Sequence, residues 1–210
     1  MNARPAGMEA SRSPAAGPGR APVVVMYVGN LEPYQGIDLL LQSFALLLQR
    51  TDRADLVVVG GTARDVAAYR EECRRLGIAA RVQFLGPRPI AELPAHLAAA
   101  DVVVSPRLRG ANTPMKLYSY LHSGKALVAT ELPTHTQLVD DRVAVLAAPR
   151  PLAFAEALER VILDADLRAR LGAAGRRLVE ERFSYQAFRQ RLGGLLDWLE
   201  YEALAPGSPA

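Results

Sequence analysis

Apolar positions fall into two alternating rhythms along this chain. Short unbroken runs stand at 22–28 (PVVVMYV), 55–59 (DLVVV), 82–85 (VQFL), 102–104 (VVV), 126–129 (ALVA) and 143–146 (VAVL). Runs this short, rich in β-branched residues and with few polar breaks, suit strands buried on both faces, as in a parallel sheet. Between them lie stretches with helical spacing at Ile37–Leu48, Asp65–Leu76, Ala91–Ala99 and Thr113–Ser123, and three more follow the last strand near 151–164, 167–182 and 184–204. Gly77 and Gly124 stand where helices usually stop. The alternation predicts an α/β fold: a single Rossmann-like domain with a mostly parallel sheet of about six strands and helices on both faces. Right-handed crossovers then place all strand C-termini on one edge, where open α/β sheets bind ligands. The strands end in Gly29-Asn30, Gly60-Gly61, Gly86-Pro87, Ser105-Pro106 and the segment ATELP. Such glycines let backbone approach a ligand, although they also punctuate ordinary turns.

Composition narrows the picture. Residues 1–21 and 205–210 are built from Ala, Gly, Pro and Ser with almost nothing to pack, and are expected to be disordered tails around a folded domain at 22–204. The net charge of +3 sits largely in the first tail, where Arg4, Arg12 and Arg20 face only Glu9, so a basic balance is no sign of nucleic-acid binding. A single cysteine, Cys73, excludes a disulfide framework and a multi-cysteine metal site. No apolar run is long enough to span a bilayer, and the first residues lack the apolar core of a secretory signal, so no transmembrane segment and a cytoplasmic location are expected.

One stretch carries chemistry. From 102 to 130 there is no acidic residue, yet Arg107, Arg109, Lys116 and Lys125 lie there, and the two lysines are the only ones in the chain. Thr113-Pro114 reads as a helix start, with Thr as N-cap and Pro at the first helical position. The amides of Met115 and Lys116 would then open the helix, where partial positive charge favours a phosphate. A lysine in a first turn is mildly unfavourable unless an anion joins it, and the bland alternative is a solvated side chain tolerated at small cost. The histidines suggest less. His96 and His122 read as structural or surface residues, whereas His135 falls at the expected ligand edge, within hydrogen-bonding reach of a sugar or phosphate.

The segments RVQFLG, ELPAHLAAADVVVSP and SGKALVAT, in this order over residues 23–204, resemble the C-terminal, donor-binding half of glycosyltransferase family 4 enzymes, which have the GT-B fold. The resemblance implies a site for a nucleoside-diphosphate sugar, a substrate rather than a cofactor, with no metal and an unspecified base. It places the base near Gly60, Gly61 and the loop at Phe84, Leu85, Gly86 and Pro87. The diphosphate and sugar would meet Gly29, Asn30, Thr113, Pro114, Met115, Lys116 and Ser119, with Asn112 and His135 as further sugar or phosphate contacts. It also implies that the last helix crosses to the other half, so that Trp198 and Tyr201 either pack on a partner surface or cap this domain's own core.

The sequence departs from that family pattern at several positions. The family commonly carries two glutamates eight positions apart; counting back from Gly124, Ala111 and Ser119 stand there. The basic pair of the family's phosphate loop is replaced by Asn30 and Gln35, so Lys116, with Arg107 or Arg109, would supply the charge from a relocated position. No catalytic base is evident. The resulting expectation is a glycosyltransferase donor half, inactive without an acceptor domain, acting with a separate acceptor-domain chain or as a homo-oligomer. The alternatives are a non-catalytic relic or regulatory module and, less well matched, a sugar-nucleotide epimerase of the same fold.

Overall fold

The computed structural model describes residues 21–204; of the expected tails at 1–21 and 205–210, all but Ala21 lie outside that range. Six strands form one sheet: β1 (Val23–Val28), β2 (Ala54–Val59), β3 (Val82–Gly86), β4 (Val102–Ser105), β5 (Ala126–Thr130) and β6 (Ala144–Ala147). Every pairing is parallel, and the order is β3-β2-β1-β4-β5-β6. The chain thus moves outward in one direction from β1 to β3, then returns to start again at β4. The change of direction lies between β1 and β4, where doubly wound sheets open a crevice at their C-terminal edge.

Period-two geometry explains why the strands have no polar face. Val23, Val25 and Tyr27 enter one core with α1 (Ile37–Leu48), α2 (Ala63–Arg75) and α6 (Pro151–Leu163). Val24 and Met26 enter the opposite core with α3 (Leu93–Ala99) and α4 (Lys116–His122). A strand between two helix layers buries both sets of side chains, at roughly 25 cal/mol per Å² of apolar surface. The short helix α5 (Pro133–Thr136) follows β5, and α7 (Ala165–Phe183) and α8 (Tyr185–Leu204) close the chain.

Helix starts depart from expectation where capping decides them. Helix α2 begins at Ala63, ahead of the expected Asp65, because Thr62 and Asp65 form a reciprocal capping box: Asp65 N–H donates to Thr62 Oγ1 (3.2 Å) and Thr62 N–H to Asp65 Oδ2 (2.9 Å). Asp164 accepts the Leu167 N–H at 2.8 Å and starts α7 at Ala165. Helix α4 begins later, at Lys116, and Thr113 is not its N-cap. The Thr113 hydroxyl accepts a hydrogen bond from the Gln137 side chain instead, and the Pro114 carbonyl accepts the Leu117 N–H in a preceding turn (3.0 Å).

Two contacts hold β1 against β4 and set where the crevice opens. At the lower end Asp101 brackets Val24, accepting its N–H at Oδ2 (2.8 Å) while the Asp101 N–H donates to the Val24 carbonyl (2.9 Å). The registered pairs then end at Met26 and Val103. Beyond them the buried Tyr120 hydroxyl substitutes for a neighbouring strand. It accepts the Val28 N–H (2.7 Å) and donates to the Val28 carbonyl (3.1 Å). The backbone at the end of β1 is satisfied without β4 beside it, so the two strands part.

Candidate functional site

A cavity of about 500 Å³ lies at this parting, on the C-terminal edge of the sheet. Its floor is the end of β1 and β2, with Val28, Gly29, Asn30 and Val59. One wall comes from the segment after β1 (Tyr34, Gln35), the segment after β4 (Arg107) and the approach to α4 (Pro114, Met115, Lys116). The other wall comes from the loop after β3 (Arg88, Pro89, Ile90) and from Leu93 and His96 of α3.

Glycines let the loops come this close. Gly60 has φ +114°, and a Cβ there would lie 2.0 Å from the Gly29 carbonyl oxygen. Gly36, at φ +76°, would place a Cβ 2.0 Å from the Pro106 carbonyl oxygen. That second approach seats the loop after β1 on the loop after β4, and the Leu108 N–H joins them by donating to the Tyr34 carbonyl (2.9 Å).

Lys116 is the centre of the site's electrostatics. Its Nζ donates to Gln35 Oε1 (3.0 Å) and lies 4.1 Å from the centroid of the buried Tyr27 ring. Both partners are neutral, and among the described residues no carboxylate pairs with it. Burial, reinforced by the nearby Arg107 guanidinium, lowers its pKa from 10.5 to about 7. Arg107 itself is fixed by its own loop. Its Nε donates to the Arg109 carbonyl (2.8 Å), its Nη1 to the Asn112 carbonyl (3.2 Å), and it stands 5.3 Å from the Tyr34 ring centroid. The cavity thus holds Lys116, Arg107 and Arg88, and no aspartate or glutamate lines it. Among the described residues no cluster of three His, Cys, Asp or Glu could hold a metal ion.

Of the expected donor residues, the structure brings Gly29, Asn30, Pro114, Met115 and Lys116 to the cavity. The Lys116 ammonium arrives beside Gln35, the position where the family resemblance expects a lysine on the first loop. Thr113 and Ser119 do not line it. Asn112 is exposed, and its carbonyl is committed to Arg107 and to the Thr134 hydroxyl (2.6 Å). Gly60, Gly61, Leu85 and Gly86 also lie off the cavity. Gly60 N–H donates to the Gly86 carbonyl (2.8 Å) and Leu31 covers Gly61, so these residues close strand ends, and the loop just beyond them forms the wall.

His135 does not line the cavity. It is fully buried behind the crevice. Its Nδ1 lies 2.7 Å from the Thr130 carbonyl, which can only accept, so Nδ1 carries the proton and Nε2 accepts from the Ser105 hydroxyl (2.9 Å). Burial lowers its pKa from 6.5 to about 4, so it is a neutral spacer between β4 and β5. Lys125 is structural too, donating to the Ala98 carbonyl at the end of α3 (2.9 Å). Trp198 and Tyr201 are both exposed on α8, which excludes a core-capping role within this domain.

Sequence reasoning missed Tyr34, Arg88, Ile90 and Leu93. Two prolines around Arg88 marked a rigid loop beside the expected base site, and that was the available signal. His96 was read as structural; it is buried, as expected, but its ring also borders the cavity.

An open, doubly wound α/β domain with its cavity at the switch point belongs to the class that binds ligands at the carboxyl edge of its sheet. Within that class the chain belongs to the glycosyl transferases group 1 family, which it matches over residues 22–164. It is 35% identical over 160 residues to a D-inositol 3-phosphate glycosyltransferase of Corynebacterium diphtheriae, covering 72% of this chain and 37% of that one. It is 32% identical over 196 residues to a GDP-mannose-dependent alpha-(1-6)-phosphatidylinositol monomannoside mannosyltransferase of Mycobacterium tuberculosis, covering 85% and 48%. The chain therefore spans less than half the length of these curated relatives. Among solved structures, HepE of Anabaena in complex with UDP superposes with a TM-score of 0.74 at 24% identity, over 84% of this chain and 49% of that one. The C-terminal domain of the group 1 glycosyl transferase LpcC from Francisella tularensis superposes with a TM-score of 0.69 at 22% identity, over 79% and 89%. The expected single parallel sheet and GT-B likeness are thereby shown. No helix among the described residues is long and apolar enough to cross a membrane.

Proposed function

We propose that this chain binds the nucleoside-diphosphate part of a glycosyl donor in the cavity between β1 and β4. It would serve transfer of the glycosyl group to an acceptor held elsewhere, on a domain outside these residues or on a partner chain. The observation that carries the reading is the Lys116 ammonium. It stands at the switch point with only neutral partners, beside Arg107, in a cavity that no carboxylate lines. A half-buried lysine without an acid is a site that lacks its anion. A diphosphate supplies that charge, and the charge grows on it as the glycosyl bond breaks, where Lys116 stabilises the departing group. Family membership supports the same reading.

A second reading, a non-catalytic relic that keeps the fold, is favoured by the absence of carboxylates at Ala111 and Ser119. Binding separates the two. Calorimetric titration of UDP, GDP and ADP into the wild-type chain is expected to show saturable binding. At pH 8 that binding takes up close to one proton, read from the heats in two buffers of different ionisation enthalpy, because the anion restores the charge on Lys116. Lys116→Ala is expected to bind more weakly and take up no proton. Absence of binding by any diphosphate would overturn the donor-site reading, and unchanged proton uptake in the variant would overturn the role of Lys116.

A further inference from the structure

The two ends of the cavity differ in chemistry. At the β1–β4 end stand Lys116 and Arg107. At the other end Val59, Pro89, Ile90 and Leu93 form an apolar wall, and Ile90 is 87% exposed at its rim. A ligand that joins an anionic group to a flat, weakly polar one is matched by that division, and its base lies at the apolar end.

Arg88 brings a guanidinium donor to the apolar end. The Arg88 guanidinium is exposed, and among the described residues it has no hydrogen-bond or ion-pair partner. Pro87 and Pro89 carry no N–H. Three carbonyls around the loop already take one hydrogen bond each: Phe84 O from Arg70 Nη2 (3.2 Å), Gly86 O from Gly60 N–H (2.8 Å) and Pro89 O from Glu92 N–H (3.0 Å). The nearby carboxylate of Glu92 does not line the cavity, and its Oε2 lies 3.4 Å from His96 Nε2. Both ring nitrogens of His96 are buried, so that ring offers the cavity a carbon edge.

We infer that the site prefers a guanine nucleotide, with Arg88 as the residue that reads the base. A guanidinium fork fits two adjacent acceptors, and guanine offers O6 and N7 side by side. Adenine sets a donor beside N7 on the same edge, and uracil separates its two acceptors, O2 and O4, by the N3 donor. This assignment rests on the donor-site reading above and adds the base to it.

The test is calorimetric competition among GDP, UDP, ADP and inorganic pyrophosphate on the wild-type chain, Arg88→Ala and Arg88→Lys. Wild type is expected to bind GDP ~10-fold or more tightly than UDP or ADP, the discrimination typical of one bidentate base contact. Arg88→Ala brings GDP to the level of UDP and leaves pyrophosphate unchanged. Arg88→Lys keeps the charge but not the fork, and also loses the preference. Equal affinity of the wild type for GDP and UDP overturns the inference and leaves the donor-site reading standing. An equal loss for all ligands in Arg88→Ala, pyrophosphate included, overturns it as well and makes Arg88 a phosphate contact. Failure of every diphosphate to bind overturns both.

Discussion

Removing the Lys116 charge should stabilise the empty protein, and the gain should depend on pH. A fall in pKa from 10.5 to about 7, at ~1.36 kcal/mol per tenfold change in proton affinity, corresponds to ~5 kcal/mol disfavouring the charged form in the folded state. The unfolded chain holds the proton up to pH ~10.5 while the folded chain releases it near 7. Between those values the unfolded state binds more protons, so this residue's contribution to stability rises with pH; below 7 its full cost is present. Lys116→Met keeps the aliphatic stem over Tyr27 and removes the charge. It also leaves Gln35 Oε1, which is buried, without its donor, at a cost of ~1–3 kcal/mol. The net expectation is a gain of ~2–4 kcal/mol at pH 6, a rise in Tm on the order of 5–15 °C for a domain of this size. The gain should fade with rising pH and turn into a small loss by pH 10. Urea unfolding followed by circular dichroism at both pH values, compared with wild type, cancels the other titrating groups. A variant destabilised by the same amount at both would refute the premise that a half-buried ammonium without a carboxylate limits stability, and with it the argument for an absent anion.

Two further outcomes follow from the same geometry. Tyr120→Phe strips both hydrogen bonds from Val28 at the parting of β1 and β4 and should cost ~1–3 kcal/mol in urea unfolding; a loss below ~0.5 kcal/mol would show that water replaces the hydroxyl. His135 has its pKa lowered to about 4 by burial, whereas the unfolded chain takes up the proton near 6.5, so its contribution falls as pH drops from 6.5 through 4. In NMR its ring should stay neutral above pH ~5, with Nδ1 protonated; a titration midpoint near 6.5 would contradict the buried assignment.

Much of the architecture was legible because its causes are local. An apolar run such as Val102–Val104 states its own burial on both faces, and a glycine such as Gly124 states where a helix ends. Six strands and their alternation with helices follow from those signals, and with them the edge on which a site must lie. Helix starts were less legible at 113, since Thr113 has a good capping side chain that a distant residue, Gln137, engages instead. The lack of acids between 102 and 130 likewise marked the segment but not which of its four cations reach the cavity. Lys125 is spent on a carbonyl and Arg109 stays outside, while Lys116 and Arg107 both line the cavity and meet the first loop.

By itself the sequence determined the fold class, the edge of the sheet where the cavity opens and the family, since each rests on patterns read within a few residues of one another. Tertiary structure decided which polar groups face the cavity. His135 and Lys116 lie in flanking segments of the same stretch, yet one is sealed between Ser105 and Thr130 while the other is delivered to Gln35 across the switch point. That distinction depends on partners brought together only by packing, and no local spacing encodes it.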